Sequence, residues 1–374
     1  MSCHCRVTAD APGSRCQPCR YARTHLLTLF KDDICRAELV TEALAQFRGA
    51  HDGGFEGIVV AVRSFNRPSA PTLELLSQMR VPHFLLLAAT DPCGPEYLDR
   101  LSSDMMRRTL VGVKGAEENV RFLEEVVRLA HAGRPKPEGV PVFVLDDNVK
   151  HLRLKLSDSG GWRSAVDLTN IQFNRFLATA FDTRRKEKVP IFSCARYHNA
   201  LYGKAAATDR CHLSRSFEAG SLFKPSFDAH VYGAAFGLLT GAAEEAARQV
   251  SPTCASMVGD LERGLRNYLQ DEKCLFFPSV AVSKMKMAGG SGRLKASARR
   301  QTLLQVDVFR RCLRGVAADL RGRYLNLMRP KRWAKAAVLK YEKEVQRASA
   351  ARKKCIVKPK LRRRPASSTS RRRS

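Results

Sequence analysis

Two adjacent carboxylates, Asp146 and Asp147, follow an apolar run over residues 140–145 that has the composition of a buried strand. In open α/β sheets, ligands bind outside the carboxyl ends of the strands, where these acids would lie. Neighbouring carboxylates repel each other unless a cation neutralises them, and hard cations such as Mg²⁺ prefer oxygen ligands. A divalent metal that carries a phosphate would satisfy both conditions. The alternative is an acidic turn through Asn148, which needs no ligand.

The segments before this strand alternate between strand and helix patterns. Buried strands are predicted at 57–63, 83–89 and 109–113, and helices at 33–47, 72–79 and 116–132. Strand–helix–strand order at this spacing is typical of βαβ units, which build parallel sheets. The first 150 residues therefore predict a nucleotide-binding α/β layout. The glycine cluster at 289–292 lacks the strand, helix and lysine of a P-loop.

Charged residues lie where these elements begin or end. Arg63 closes the first strand, and Asp91 follows the second. In the helix that starts near residue 116, Glu117 and Arg121 have the i,i+4 spacing of a surface ion pair. An ion pair with Glu117 is therefore the alternative to a ligand-binding role for Arg121.

The second half continues the alternation. Strands are predicted at 189–196, 232–239 and 275–282, with a helix that opens near Asp260. Helical spacing returns over 306–327 and 333–345. From residue 352 onwards the chain is basic and rich in Ser and Pro, which predicts disorder. Its arginine runs could be a nuclear address or a DNA-binding arm.

The net charge of +29 is concentrated at the C-terminal end, where residues 321–374 contain 20 Lys or Arg and only 2 Glu. A chain this basic attracts polyanions, and nucleic acid is the commonest of these inside cells. A solvated basic tail unrelated to the rest of the protein would have the same composition. No apolar run reaches the length of a membrane span, and no signal-peptide layout opens the chain, so we expect an intracellular protein without a membrane partner.

Four of the 12 cysteines form two close pairs near the N-terminus, Cys3 with Cys5 and Cys16 with Cys19. Four thiolates in two pairs can close a tetrahedral structural Zn²⁺ site. A Cys-x-Cys half-site is less common in zinc sites, and the loop between the two pairs is short. The alternative is therefore a cysteine-rich terminus that binds no metal. In a reducing compartment the remaining, scattered cysteines are expected to be thiols.

The order of these segments resembles the GT-A glycosyltransferases, which bind a nucleotide-sugar on an α/β half-domain. Within them, it is most similar to the base J glucosyltransferases and the glycosyltransferases associated with TET and J-binding dioxygenases. The resemblance covers residues 55–293. It rests on the turn at 61–68 with the segment 72–76, the strand ending at Asp91 with Tyr97 beyond it, Gly115 opening the Asn119-Val-Arg121 helix, and Leu145-Asp146-Asp147-Asn148. It implies a GT-A-like fold with a Rossmann-like nucleotide-binding sheet and a mixed acceptor half.

The resemblance also implies a set of site residues. Asp146 and Asp147 would hold the nucleotide ribose and a Mn²⁺ or Mg²⁺ ion, and Asp260 would be the catalytic base, with Glu262 in reserve. Asp260 equally suits a helix N-cap. The donor-binding set would be Arg63, Ser64, Arg67, Asp91, Asn119, Arg121, Asp146, Asp147 and Lys284.

We therefore predict four segments: a Cys-rich segment at 1–32, a glycosyltransferase domain at 33–293, a helical extension at 294–350 and a disordered basic tail at 351–374. The implied enzyme is inverting and metal-dependent. It moves a sugar, expected to be glucose, from a UDP-sugar to a hydroxymethylated pyrimidine in DNA. It would act in a nucleus or, failing one, in the cytoplasm. The alternatives are a protein or glycan acceptor, or a catalytically inactive DNA-binding relative.

Overall fold

A computed structural model of the chain describes residues 17–50, 57–132, 139–155, 165–196, 223, 225–227, 235–240, 259–285, 298–329 and 332–356. Within these residues the protein is an α/β structure with one nine-stranded mixed sheet and eleven helices, so the predicted α/β class is confirmed. The predicted zinc ligands Cys3, Cys5 and Cys16 lie outside the described residues, as do the side chain of Cys19 and the basic tail beyond residue 356.

The strands and helices alternate through most of the chain. The strands are β1 (Val59–Arg63), β2 (Phe84–Ala88), β3 (Thr109–Gly112), β4 (Val140–Asp146), β5 (Val149–Leu154), β6 (Val166–Asp167), β7 (Ile191–Arg196), β8 (Ala235–Thr240) and β9 (Leu275–Lys284). The helices are α1 (Gln17–Thr28), α2 (Arg36–Ala50), α3 (Pro71–Gln78), α4 (Gly94–Arg100), α5 (Ser103–Arg107), α6 (Ala116–Ala130), α7 (Asn170–Glu187), α8 (Gly259–Asp271), α9 (Ala298–Cys312), α10 (Ala318–Met328) and α11 (Arg332–Ile356).

One half of the sheet is parallel, with the strand order β3-β2-β1-β4. The chain winds outward from β1 to β3 and then returns to the other side of β1 as β4. This reversal makes the carboxyl ends of β1 and β4 a topological switch point, the place where open α/β sheets bind ligands. Arg63 and Asp146 are register partners at that point.

The other half of the sheet is mixed. Strand β8 runs antiparallel to both β4 and β7, and β7 pairs in parallel with β9. Strand β9 then pairs antiparallel with β5, which lies beside the short edge strand β6. Because Lys284 is the register partner of Val149, the end of β9 meets the turn that follows β4.

Helices bury both faces of the sheet. Alternate residues of β4 belong to different hydrophobic cores. Val142 and Val144 lie in the core on the sheet face covered by α2 and α6, whereas Phe143 and Leu145 lie in the core on the face covered by α7. Burial on both faces explains why the parallel strands are apolar at nearly every position. The core on the α2 side extends through α8 to the helical extension formed by α9, α10 and α11.

The helical extension differs from its sequence prediction in two ways. The helical spacing over 306–327 is divided between two helices, since α9 ends at Cys312 and α10 begins at Ala318. Between them Gly315 has φ +78°, a conformation that glycine adopts at little cost, in the turn that the Val316 amide closes on the Leu313 carbonyl. Helix α11 continues to Ile356, five residues into the segment from residue 352 for which disorder was predicted.

Candidate functional site

Asp146, at the end of β4, is held by two cations. Arg63 donates from Nε to Oδ1 at 2.8 Å, and Lys284 donates from Nζ to Oδ2 at 2.5 Å. Burial by itself would raise the pKa of Asp146, but the charges of Arg63 and Lys284 outweigh it and hold the pKa well below its ordinary value. Asp146 is therefore ionised throughout the physiological pH range.

Asp147, the next residue, is more deeply buried and has different partners. Arg67 donates from Nη1 to Oδ1 at 2.6 Å, and the Ser64 hydroxyl donates to Oδ2 at 2.6 Å. Burial, with a smaller contribution from the neighbouring charge of Asp146, raises the pKa of Asp147 more than these two partners lower it. The two neighbouring acids thus have pKa shifts of opposite sign.

A hydrogen-bonded loop after β1 positions these partners. The Tyr97 hydroxyl lies 2.5 Å from Ser64 Oγ and accepts a hydrogen bond from the Arg67 amide at 2.9 Å. Asp91 accepts from the amides of Asn66 at 2.8 Å and Cys93 at 2.9 Å. The carboxylate of Asp91, predicted to contact a nucleotide, therefore holds the loop that carries Ser64 and Arg67.

The turn after β4 is fixed from both sides. On one side, the Thr72 hydroxyl donates to the Asp146 carbonyl at 2.6 Å and accepts from the Val149 amide at 2.8 Å. On the other side, the Asn148 side-chain amide donates to the Met285 carbonyl at 3.2 Å. Within the described residues, the buried Oδ1 atom of Asn148 has no hydrogen-bond partner.

The predicted surface pair between Glu117 and Arg121 is wrong. Glu117 is buried, accepts a hydrogen bond from Arg63 Nη1 at 3.2 Å and forms an ion pair with Arg263, while Arg121 bonds Glu118 at 3.1 Å. The reason is the position of Glu117 on the helix, three residues before the buried Val120 and so on the core-facing side of α6.

Glu117 and Arg263 extend the site into α8, and sequence reasoning missed both. The Arg263 guanidinium also lies over the Phe236 ring, 4.1 Å from its centroid. A carboxylate on an otherwise apolar helix face was a usable signal for Glu117, since it requires a buried cation. Arg263 carried no such signal, because it lies two positions after Leu261 and so opposite the apolar stripe of α8, on the side that a sequence pattern assigns to solvent.

The two candidate bases occupy different faces of α8. Asp260 is the second residue of the helix, and position 260 lies one turn before Arg263 on the same face. The side chain of Asp260 is outside the description. Glu262 is fully buried and pairs with Arg266 at 2.6 Å and with Arg311 of α9 at 3.5 Å. Glu262 therefore faces the helical extension.

Asn119 and Arg121 do not join this cluster within the part of the chain that the structure describes. Asn119 is buried, and its Oδ1 atom has no hydrogen-bond partner there. Arg121 is engaged with Glu118, and its buried Nη2 atom has no described partner. These two orphaned groups lie on the helix that also carries Glu117.

The chain matches no known protein-family model, and no curated protein is significantly similar to it in sequence. Among the described helices, none is both long enough and apolar enough to cross a membrane.

The chemistry of the acid pair fits a divalent ion that arrives together with a phosphate. Mg²⁺ is usually bound by one or two carboxylates plus substrate phosphates, and Asp146 and Asp147 supply two carboxylates. The described residues contain no group of three or more His, Cys, Asp or Glu side chains that could hold a metal by themselves. All four oxygens of the pair already accept bonds from Arg63, Ser64, Arg67 and Lys284.

Proposed function

We propose that this protein is a GT-A-like glycosyltransferase that binds a nucleotide-sugar at the carboxyl ends of β1 and β4. One observation carries the proposal: the Asp146–Asp147 pair lies at the topological switch point of the sheet, surrounded by Arg63, Arg67 and Lys284. Two carboxylates of the kind that bind a metal and three cations of the kind that bind a diphosphate thus lie together at one edge of the sheet. The parallel half followed by a mixed half supports the finer GT-A-like assignment.

The cations around the acid pair suit a diphosphate. Lys284 has three donor hydrogens and each guanidinium has five, so Arg63 and Arg67 can bind a carboxylate and a phosphate oxygen at once. The acids hold these side chains in place before any ligand arrives, which lowers the entropy cost of binding.

A Mn²⁺ or Mg²⁺ ion would be held by Asp146 and Asp147 and would supply positive charge to the departing diphosphate. The orphaned Asn148 Oδ1, one residue on, would be a further oxygen ligand of the type that such ions prefer.

We assign the role of general base to Asp260. In an inverting transfer the base takes the proton of the acceptor hydroxyl as its oxygen bonds to the anomeric carbon. The bond from that carbon to the diphosphate breaks at the same time, and the leaving group takes the electron pair. Position 260 shares a helix face with Arg263, whose contacts lead through Glu117 and Arg63 to Asp146.

For the acceptor, the net charge of +29 favours DNA over a protein or a glycan. A base must leave the duplex stack to reach a buried site, and enzymes that extract a base do so while holding the flanking backbone. The acceptor hydroxyl would then belong to a hydroxymethylated pyrimidine.

The test is a transfer assay with labelled UDP-sugars, Mn²⁺ and duplex DNA that contains hydroxymethyluracil or hydroxymethylcytosine. We expect label on the DNA with the wild type and none with Asp147→Asn. Asp319→Asn, at an exposed acid of α10, is the matched control and should retain transfer. Label on protein or glycan acceptors alone would move the assignment to another acceptor. No transfer or hydrolysis with any UDP-sugar would overturn the enzyme assignment.

A further inference from the structure

Helix α11 presents its apolar side to the rest of the protein. It is 25 residues long, and Ala334, Ala337, Val338 and Tyr341 are buried. Their i, i+3, i+4, i+7 spacing is that of one face of a helix, and this face packs against α9. Val345 continues the same face one turn later.

The opposite side of α11 carries a row of exposed cations, here named the basic stripe: Lys340, Lys343 and Arg347. Each follows a core-facing residue, respectively Val338, Tyr341 and Val345, by two positions. Two positions are a rotation of about 200° around the helix axis. The basic stripe therefore points away from the packed face along two turns of the helix.

The acidic side chains described in the helical extension do not pair with the basic stripe. Each of these acids forms an ion pair with an arginine outside the stripe. On α11 itself, Glu342 pairs with Arg329 at 2.5 Å, and Glu344 forms a two-bond contact with Arg310. The pairs are Asp307 with Arg311, Asp319 with Arg323, Glu342 with Arg329 and Glu344 with Arg310.

We propose that the basic stripe binds the phosphate backbone of duplex DNA. The assignment of DNA rests on the proposed function, in which DNA is the acceptor. From Lys340 to Arg347 the helix rises about 10 Å. One DNA strand presents a phosphate about every 3.4 Å along the duplex axis, so the stripe can meet about three phosphates, one for each cation.

The orientation of α11 favours DNA over an anionic membrane. A helix that binds a membrane surface inserts its apolar face between the lipids and keeps its charges at the rim. In α11 the apolar face is buried against α9, and beside the basic stripe Leu339 is the one exposed large apolar side chain among the described residues of the helix. A charged strand of phosphates requires only the charge.

The experiment compares two triple variants of the full chain. The test variant is Lys340→Gln with Lys343→Gln and Arg347→Gln. The matched control is Lys31→Gln with Arg128→Gln and Lys186→Gln, which removes three exposed cations from three other parts of the chain. Binding to a 30-base-pair unmodified duplex is measured by fluorescence anisotropy between 50 and 300 mM NaCl, without a sugar donor. Circular dichroism melts establish that both variants are folded.

The slope of log K against log salt is negative, and its magnitude is about 0.9 for each phosphate that the protein neutralises. We expect this magnitude to be smaller by about two to three in the test variant. The control should change the slope by less than one. Equal slopes in the two variants would overturn the proposal. So would an unchanged DNA slope combined with loss of binding to vesicles of 30% phosphatidylserine, because the stripe would then serve a membrane.

This outcome is independent of sugar transfer, because the DNA measurement contains no donor. If no transfer occurs with any acceptor but the salt dependence of DNA binding is shallower in the test variant than in the control, the proposed function fails and the DNA-binding stripe remains. If transfer to DNA occurs and the slopes are equal, the proposed function remains and the stripe fails.

Discussion

Asp146 and Asp147 are adjacent in the chain, yet the fold gives them different tasks. Asp146 is ionised and lies between Arg63 and Lys284, so it organises the cations that a diphosphate would meet. Asp147 is more deeply buried and depends on Ser64 and Arg67 for its hydrogen bonds. The difference arises because Asp146 is the last residue of β4, whereas Asp147 begins the turn that packs against α3.

At the residue scale, Lys284→Met should strengthen Mn²⁺ binding by the free protein and weaken UDP binding without metal. Lys284 occupies Asp146 Oδ2 and competes with a metal for that atom, while it also supplies one cation to the diphosphate. A charge-assisted hydrogen bond contributes about 1.5–3 kcal/mol, so a loss of UDP affinity of about tenfold or more is expected. Calorimetry with each ligand is the measurement, and Lys150→Met, an exposed lysine of β5, is the control. Unchanged affinities in Lys284→Met would contradict this role.

The lowered pKa of Asp146 predicts a pH-dependent contribution to stability. In the folded protein Asp146 stays ionised at pH values below the pKa that it has in the unfolded chain. The stabilisation is therefore complete above the unfolded pKa, about pH 4, and is lost as the pH falls through the lower pKa of the folded state. Asp146→Asn should therefore lower the free energy of unfolding by about 3 kcal/mol at pH 7. The deficit should shrink below pH 4. Urea unfolding from pH 3 to pH 8 measures both effects, and a deficit independent of pH would contradict the assignment.

At the scale of elements, the site joins β1, β4, α6 and α8 through buried charges. Glu117 contacts Arg63 and Arg263 at once, so one carboxylate links the parallel half of the sheet to the helix that carries Asp260. Such a link fixes the position of α8 relative to the carboxyl ends of β1 and β4. It also makes the fold sensitive to the loss of a single charge.

Glu117→Gln should destabilise the protein by about 3–5 kcal/mol, the range for leaving buried partners without their counter-charge. The control is the neighbouring Glu118→Gln, which removes a more exposed pair with Arg121 and should cost less than about 1 kcal/mol. Urea denaturation of both variants is the measurement. Similar losses in the two variants would show that the charge of Glu117 is not required.

The two faces of α8 predict different outcomes for its acids. Asp260→Asn should retain UDP-sugar affinity and lose transfer by about 10²–10⁴-fold, the range for removal of a general base. Glu262→Gln should retain transfer but lower the melting temperature, because Arg266 and Arg311 lose a buried partner. Initial rates, donor affinity and melting curves separate the cases. Abolished transfer by a stable Glu262→Gln would move the catalytic role to Glu262.

At the scale of the whole molecule, the positive charge at the C-terminal end has two parts. One is the helical extension, whose acids are paired with arginines and whose basic stripe remains exposed. The other is the sequence beyond Ile356, which contains eight Lys or Arg and no acid. The two can contribute to polyanion binding separately.

Deleting residues 357–374 preserves the whole of α11. When it is combined with the stripe variant, the deletion should make the salt dependence of DNA binding shallower than the stripe variant does alone. Each phosphate that the tail no longer neutralises lowers the slope by about 0.9. Turnover at saturating acceptor should change little, because the deletion removes none of the site residues described above. Anisotropy titrations and initial rates are the measurements. An unchanged slope would leave the tail without a role in binding.

The sequence by itself determined the elements that are locally encoded. Strands β1 to β4 were predictable because strands buried on both faces are continuously apolar, and the acids of the β4 turn were evident because they interrupt that pattern. Strand β5 was not predicted, since it alternates imperfectly around the irregular register between Val149 and His151.

Only the tertiary structure decided which charges meet. Lys284 contacts Asp146 across 138 residues, and Arg263 reaches Glu117 from a helix in the other half of the chain. Periodicity predicts which face of an element is buried, but it carries no information about the element that covers that face. Glu117 was therefore assigned to the surface until the packing of α6 against β1 and α8 supplied its two arginines.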